Sequence, residues 1–279
     1  MRVMQESPDR ALARRLEAAD AQAGLWCHEA LTHLRPGVGS AAERAAGGVI
    51  SYGGPGSWMT RGRGLGMEGP VSAEEVDRME TFFRSRGLSD WWVGLSPYTD
   101  PSLLEHLGRR GYFLADFDTV HVRSLSGAGS GAEPPQPPPE GVRVVPVARA
   151  DARAWARLVA QAFSGQEEVT DDAVDMGLLV FHHPGGAAFW AYVDGHPAGG
   201  GAMAIDDGLA CLFGMATLPS YRRRGVQRAL LDARVAYAAA EGCDLASVVT
   251  EPGSGSQRNA ERAGFRVAYT RVRLMKRSG

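Results

Sequence analysis

Residues 209–241, LACLFGMATLPSYRRRGVQRALLDARVAYAAAE, leave the chain few ways to fold. The apolar run 209–217, bounded by Gly208 and Pro219, reads as a buried strand. Val226, Ala229, Leu230, Ala233, Tyr237 and Ala240 recur at helical spacing, and Gly242 stops the helix. Between strand and helix lies a short basic turn, Tyr221-Arg222-Arg223-Arg224-Gly225-Val226-Gln227. Its glycine keeps a side chain away from the point where the backbone enters the helix. Unpaired amide groups and the positive end of the helix dipole bind phosphate oxygens there, and neighbouring arginines add charge-assisted hydrogen bonds.

The rest of the chain divides at residues 126–141, SGAGSGAEPPQPPPEG, a Gly/Ser run followed by a proline tract that cannot pack a core. In the second half the pattern predicts a strand over 142–147 and a helix over 151–163. A further helix is capped near Thr170 or Asp171. Asp194-Gly195 and Asp207-Gly208 supply the positive φ of tight hairpins, so 187–193, 197–205 and 209–217 read as successive antiparallel strands. The helix after them leads to another apolar run, 245–250, and such a connection implies a right-handed parallel crossover. A short helix over 256–263 and a strand over 265–276 complete this half.

The first half opens with a helix over 10–34, bearing Leu12, Leu16, Ala19, Ala23 and Trp26 at helical spacing. A glycine-rich middle follows. Gly64-x-Gly66-x-x-Gly69 formally matches a dinucleotide fingerprint, but no buried strand precedes it and Pro70 follows it, so it reads as a turn. Ser72-x-x-Glu75 is a capping box that starts the next helix. A strand over 91–95, a helix over 101–110 and a strand over 117–122 end the half. Residues 103–112, LLEHLGRRGY, and the strand after them repeat the pattern of 256–265, SQRNAERAGF, and its strand.

Arg222-x-x-Gly225-x-Gln227 after an apolar strand resembles the acetyl-CoA pyrophosphate loop of the GNAT N-acetyltransferase superfamily, with Gln227 at a position usually small. The element order over residues 142–276 is similar to that family's as well. The resemblance implies an α/β fold with a mixed α+β sheet, in two tandem GNAT-like domains. These are a degenerate copy over 1–125, a linker over 126–141 and an acetyl-CoA-binding catalytic domain over 142–279. It further implies that Met215, Ala216 and Thr217 offer backbone groups to the pantetheine arm and thioester. Arg222, Arg223, Arg224, Gly225, Val226, Gln227 and Arg228 would wrap the pyrophosphate. The reaction implied is direct attack of an amine, on a small molecule or a protein, upon acetyl-CoA in a ternary complex.

Such a transfer needs a route for the amine proton, a donor for the oxyanion and an acid for the thiolate. An alkyl ammonium of pKa about 10 is only ~0.1 % free base at pH 7, so the proton route matters. Many relatives carry a glutamate on the strand before the loop, but Cys211-Leu212-Phe213 offers none. Many carry a tyrosine four residues before the Gly-Phe of the last helix, and here that position is Ala260. Glu251 is the substitute base. Ser256 and Asn259, with Ser254, stand where the thiol end would lie, although a serine there could equally cap the helix. His182, His183, Glu167 and Glu168 are outlying candidates near the acceptor side. The departures keep a second reading open, an acyl-CoA-binding sensor or scaffold that does not turn over.

Composition limits the alternatives. A net charge of −2 argues against a nucleic-acid or membrane partner, so the arginine cluster is a local feature. Three scattered cysteines make neither a disulfide framework nor a metal site, which suits a reducing, cytoplasmic setting without a metal cofactor. The N-terminus lacks the apolar segment of a signal peptide. Nothing in the sequence chooses an oligomeric state.

Overall fold

The computed structural model describes residues 8–126 and 137–277; residues 127–136 of the expected linker lie outside the described residues. Contacts gather the chain into two compact units, Met1–Val120 with Ala268–Gly279, and His121–Val267. The chain leaves the first unit inside one strand and returns to it inside another.

The first unit begins with helix α1 (Pro8–Leu34), followed by strands β1 (Ala41–Ala45), β2 (Gly48–Tyr52) and β3 (Arg61–Arg63). Helix α2 (Ala73–Arg84), strand β4 (Asp90–Leu95), helix α3 (Pro101–Arg109) and strand β5 (Phe113–Ser124) complete the outward path. The expected capping box is present: Ser72 accepts from the amide of Glu75, and Glu75 accepts from that of Ser72. The sequence pattern gave no sign of β1, β2 and β3. β1 and β2 meet through a tight turn at Ala46 (φ 49°) and Gly47 (φ 76°). An Ala-Gly pair is a weak hairpin signal because alanine resists positive φ.

Helix α1 also departs from the expected stripe. Ala13, Leu16, Glu17, Ala21 and Leu31 are buried, whereas Leu12, Ala19, Ala23 and Trp26 are only half-buried. The reason is electrostatic: its inward face carries acids that meet buried arginines. Glu17 Oε1 accepts from Tyr269 Oη (2.7 Å) and from Arg271 Nε and Nη2 (3.1 and 3.0 Å). Asp20 pairs with Arg61 (3.3 Å), Arg63 (3.5 Å) and Arg271 (3.2 Å). Each buried charge thus has a partner, without which its desolvation would be prohibitive.

The second unit runs β6 (Val142–Pro146), α4 (Ala152–Ser164), α5 (Asp171–Leu178), β7 (Gly186–Val193), β8 (His196–Asp206) and β9 (Leu209–Thr217). It continues through α6 (Val226–Ala240), β10 (Leu245–Thr250) and α7 (Gly255–Arg262), and the chain ends in β11 (Arg266–Arg277). Asp194-Gly195 and Asp207-Gly208 adopt the left-handed φ expected of them. The strand order is β5-β10-β9-β8-β7-β6, antiparallel from β6 to β9 and parallel between β9 and β10. One core lies between the sheet and α6, with Phe189, Met203, Leu212, Leu230 and Val235 in it. The other lies beneath α4, around Trp155, Val159, Val174 and Trp190.

The sheet of the first unit repeats this succession. β1, β2 and β3 pair antiparallel, α2 crosses over, and β4 pairs parallel to β3. Its order is β1-β2-β3-β4-β11-β5, with β11 antiparallel to β4 from Val272↔Leu95 to Arg277↔Asp90. The internal repeat therefore extends well beyond the short helix and strand that suggested it.

Candidate active site

The turn expected to take a phosphate is built as its residues require. Gly225 begins α6 with φ 78°, and a Cβ there would lie 2.5 Å from Pro139 Cγ, so only glycine fits. Arg223 also takes a positive φ of 64°. No side chain caps α6, and the first amide to find a carbonyl is that of Ala229, on Gly225 O at 3.0 Å. The α6 amides ahead of it, those of Val226, Gln227 and Arg228, have no acceptor among the described residues, the arrangement by which helix starts bind anions. Arg222, Arg223 and Arg224 are exposed; Arg224 holds Asp194 at 2.7 Å. Arg228 is turned along α6 to Asp232 (2.6 Å) and to the carbonyl of Arg262 (2.9 Å). Gln227 accepts a hydrogen bond from Asn259 of α7, which gives the non-small residue of the loop a place.

Ahead of this turn the two parallel strands part. Their pairing runs from Leu245↔Leu209 to Val248↔Leu212 and stops, although both strands continue. Residues 213–217 are left with one edge open. Across β8 the register shifts: Gly214 (φ 59°) and Met215 together face Gly201 alone, a β-bulge. Beneath it lies Arg234 of α6, 1 % exposed. Its Nη1 donates to Ala202 O (2.9 Å) and Phe213 O (3.2 Å), its Nε to Leu230 O (3.1 Å), and its Nη2 to Met215 Sδ (2.9 Å). Gly201 admits it, since a Cβ there would come within 3.1 Å of Arg234 Cζ. Burial without a carboxylate partner lowers this guanidinium to about 9. Thr217, at the end of β9, is buried with Oγ1 unpartnered among the described residues. An uncapped helix, an open strand edge and an orphaned hydroxyl fit a long ligand with amides along it and phosphates at one end.

Residues 152–265 match the model of the acetyltransferase (GNAT) family. The second unit is a GNAT fold. The chain is similar to a GCN5-related N-acetyltransferase from Kribbella flavida, at 21 % identity and TM-score 0.65, over 95 % of this chain and 96 % of that one. It is also similar to one from Sphaerobacter thermophilus (17 % identity, TM-score 0.59, 86 % and 76 % covered). A tandem GNAT protein from the clavulanic acid biosynthesis pathway matches at 15 % identity and TM-score 0.60, over 97 % of this chain and 95 % of that one. The GNAT likeness thus spans both halves. No curated protein matches in sequence.

Against the GNAT pattern, the expected catalytic residues take diverse places. Glu251 follows β10 directly and is exposed. Ser256 lies exposed in the first turn of α7, and Ser254 is the cap, accepting from the amide of Gln257 at 3.1 Å. Asn259 is engaged at both ends, donating to Gln227 and accepting from Arg262 at 3.0 Å. Ala260, at the tyrosine position, is buried. His183 Nδ1 accepts from the amide of Gly185, and Gln161 donates to the carbonyl of Glu167, so both serve local turns. Sequence reading missed Arg234 and His121. The latter is a buried residue of β5 whose Nε2 lies 3.1 Å from Thr250 Oγ1.

The corresponding turn of the first unit, residues 64–72, is closed. Gly66 donates to Ala46 O (2.7 Å) and accepts from the amide of Asp100 (2.8 Å), while Val71 donates to Ser102 Oγ (2.8 Å). A Cβ on Gly64 would lie 2.8 Å from Glu17 O, so α1 sits directly over the turn. The capping box engages the amides of Ser72 and Glu75 at the start of α2, where α6 has no side-chain cap. Among the described residues no helix is long and apolar enough to cross a membrane.

Proposed function

We propose that the chain is an N-acetyltransferase that binds acetyl-CoA in the 142–279 half and transfers its acetyl group directly to an amine. The 1–125 half is a copy without a cofactor site. The observation that carries this reading is the uncapped, glycine-led start of α6, standing beside the point where β9 and β10 part. Amides of the turn, with Arg222 and Arg223, would take the pyrophosphate. The open edge of 213–217 would take the pantetheine amides, and an amide at the bulge would face the thioester oxygen. Attack forms the N–C bond and places charge on that oxygen, and collapse breaks the C–S bond. The amine gives its surplus proton to solvent, and Glu251, exposed just after β10, is the candidate to assist. The acceptor is an amine on a small molecule or a protein. A second reading, an acyl-CoA sensor without turnover, is favoured by one feature, the alanine at position 260.

Calorimetric titration with acetyl-CoA tests the reading, with NAD as comparison. One site per chain is expected, and Arg222→Glu with Arg223→Glu should weaken binding by about tenfold or more, the loss of a charge-assisted hydrogen bond. Absence of saturable binding in the parent protein overturns the assignment. Binding without acetylation of any of a panel of amines favours the sensor.

A further inference from the structure

His121 is 0 % exposed, and its Nδ1 has no partner among the described residues. Burial lowers the ring's pKa from the ordinary imidazole value against a smaller opposing pull from Glu261 on α7, so the ring is neutral at neutral pH. Arg123, two residues along β5, is turned to the carbonyl of Ala263 at 2.7 Å. A neutral imidazole has one donor and one acceptor nitrogen. Were Nε2 the acceptor, the proton on Nδ1 would be a buried donor with nothing to receive it. The other tautomer leaves only an unfilled acceptor, the cheaper deficit. Nε2–H then donates to Thr250 Oγ1, and the hydroxyl hydrogen of Thr250 must point elsewhere.

Its position says where. Thr250 ends β10, beyond the last pair with β9. Carried on, the same register would set it opposite Gly214, at the bulge. Ala246 faces the core under α6, and by strand alternation Thr250 shares that face, as does the orphaned hydroxyl of Thr217 on the other strand. The α7 position from which a tyrosine hydroxyl would reach the thiol end holds an alanine. One donor is missing from the helix, and one is supplied from the strand.

Building on the acetyl-transfer reading, we propose that Thr250 is the hydrogen-bond donor to the coenzyme A sulfur, with His121 as the positioning residue that fixes its hydroxyl as a donor. As the N–C bond forms and the C–S bond breaks, the electron pair departs on sulfur. The hydroxyl hydrogen bond stabilises that thiolate, which takes a solvent proton on release.

The test needs no acceptor amine. Protein carrying 13C-histidine is titrated with coenzyme A and with desulfo-coenzyme A, the His121 signals being identified by their loss in His121→Asn. Coenzyme A should shift those signals and desulfo-coenzyme A should not. Thr250→Val should abolish the shift and Thr250→Ser restore it, with calorimetric affinity in both variants within about threefold of the parent. Once an amine is turned over, Thr250→Val should lower kcat about tenfold with KM for acetyl-CoA unchanged, the loss of one transition-state hydrogen bond. His121 signals indifferent to coenzyme A, while calorimetry shows it bound, overturn the proposal and leave the acetyltransferase reading intact. No binding of coenzyme A at all overturns both.

Discussion

At the scale of single residues, the centre of the second unit turns on a side chain that no pattern marked. Arg234 falls in a helix read from its small apolar residues, and arginine in such a helix is ordinarily at the surface. Here two glycines make room on the two faces of β8: a Cβ on Gly200 would strike Trp155 Nε1 at 2.4 Å, and one on Gly201 would press on Arg234. The guanidinium then serves the carbonyls of Ala202 and Phe213 beside the bulge. Arg234→Met should keep the volume and remove those hydrogen bonds, lowering stability in urea by roughly 2–4 kcal/mol. An unchanged midpoint would mean the bulge holds itself. The places of Glu251, Ser256 and Asn259 rest on the family resemblance, and a resemblance cannot show that Asn259 is already held by Gln227 and Arg262.

At the scale of elements, the hairpins show what made strands legible. Asp194-Gly195 and Asp207-Gly208 announce positive φ, and both turns were found, whereas Ala46-Gly47 makes the same kind of turn without announcing it. β1, β2 and β3 were hidden for that reason. The helix starts differ in the same legible way. Ser72 and Glu75 satisfy two amides at the start of α2, and no side chain among the described residues does so for α6. Ser72→Ala should lower stability by about 1 kcal/mol and leave acetyl-CoA affinity unchanged, measured by denaturation and calorimetry together.

The acids of α1 make a second prediction at this scale. Burial would raise the Asp20 carboxyl, but the fields of Arg61, Arg271 and Arg63 outweigh it and hold the group at about 2 rather than 3.8. A carboxylate depressed in the folded state contributes stability that is complete above its unfolded value and is lost as pH falls through the folded one. Stability should therefore drop by about 2 kcal/mol between pH 5 and pH 2 on account of this group. Asp20→Asn should remove that part of the slope; an undiminished slope would place the titration elsewhere.

At the scale of the whole molecule, the element order of the second half was readable because each element carried its own punctuation. The partnership of the last strand was not, because pairing between β11 and β4 joins residues far apart in sequence and leaves no local mark. The same holds for Tyr269 and Arg271, whose partner Glu17 lies far off in sequence. The repeat explains why GNAT likeness runs through both halves, although the start of α2 carries a capping box and the start of α6 carries no side-chain cap.

That last strand also sets an order of events during synthesis. Domains ordinarily close in the sequence in which they leave the ribosome. Here β4 and β5 emerge before the elements of the second unit, yet the strand that lies between them, β11, is translated after those elements. Until then the nascent first unit carries two strand edges with unfilled hydrogen-bonding groups, the kind of edge that invites pairing with another chain. The unit begun before the other is completed after it, so its open edges stay exposed to chaperones and to neighbouring nascent chains while the whole of the second unit is translated.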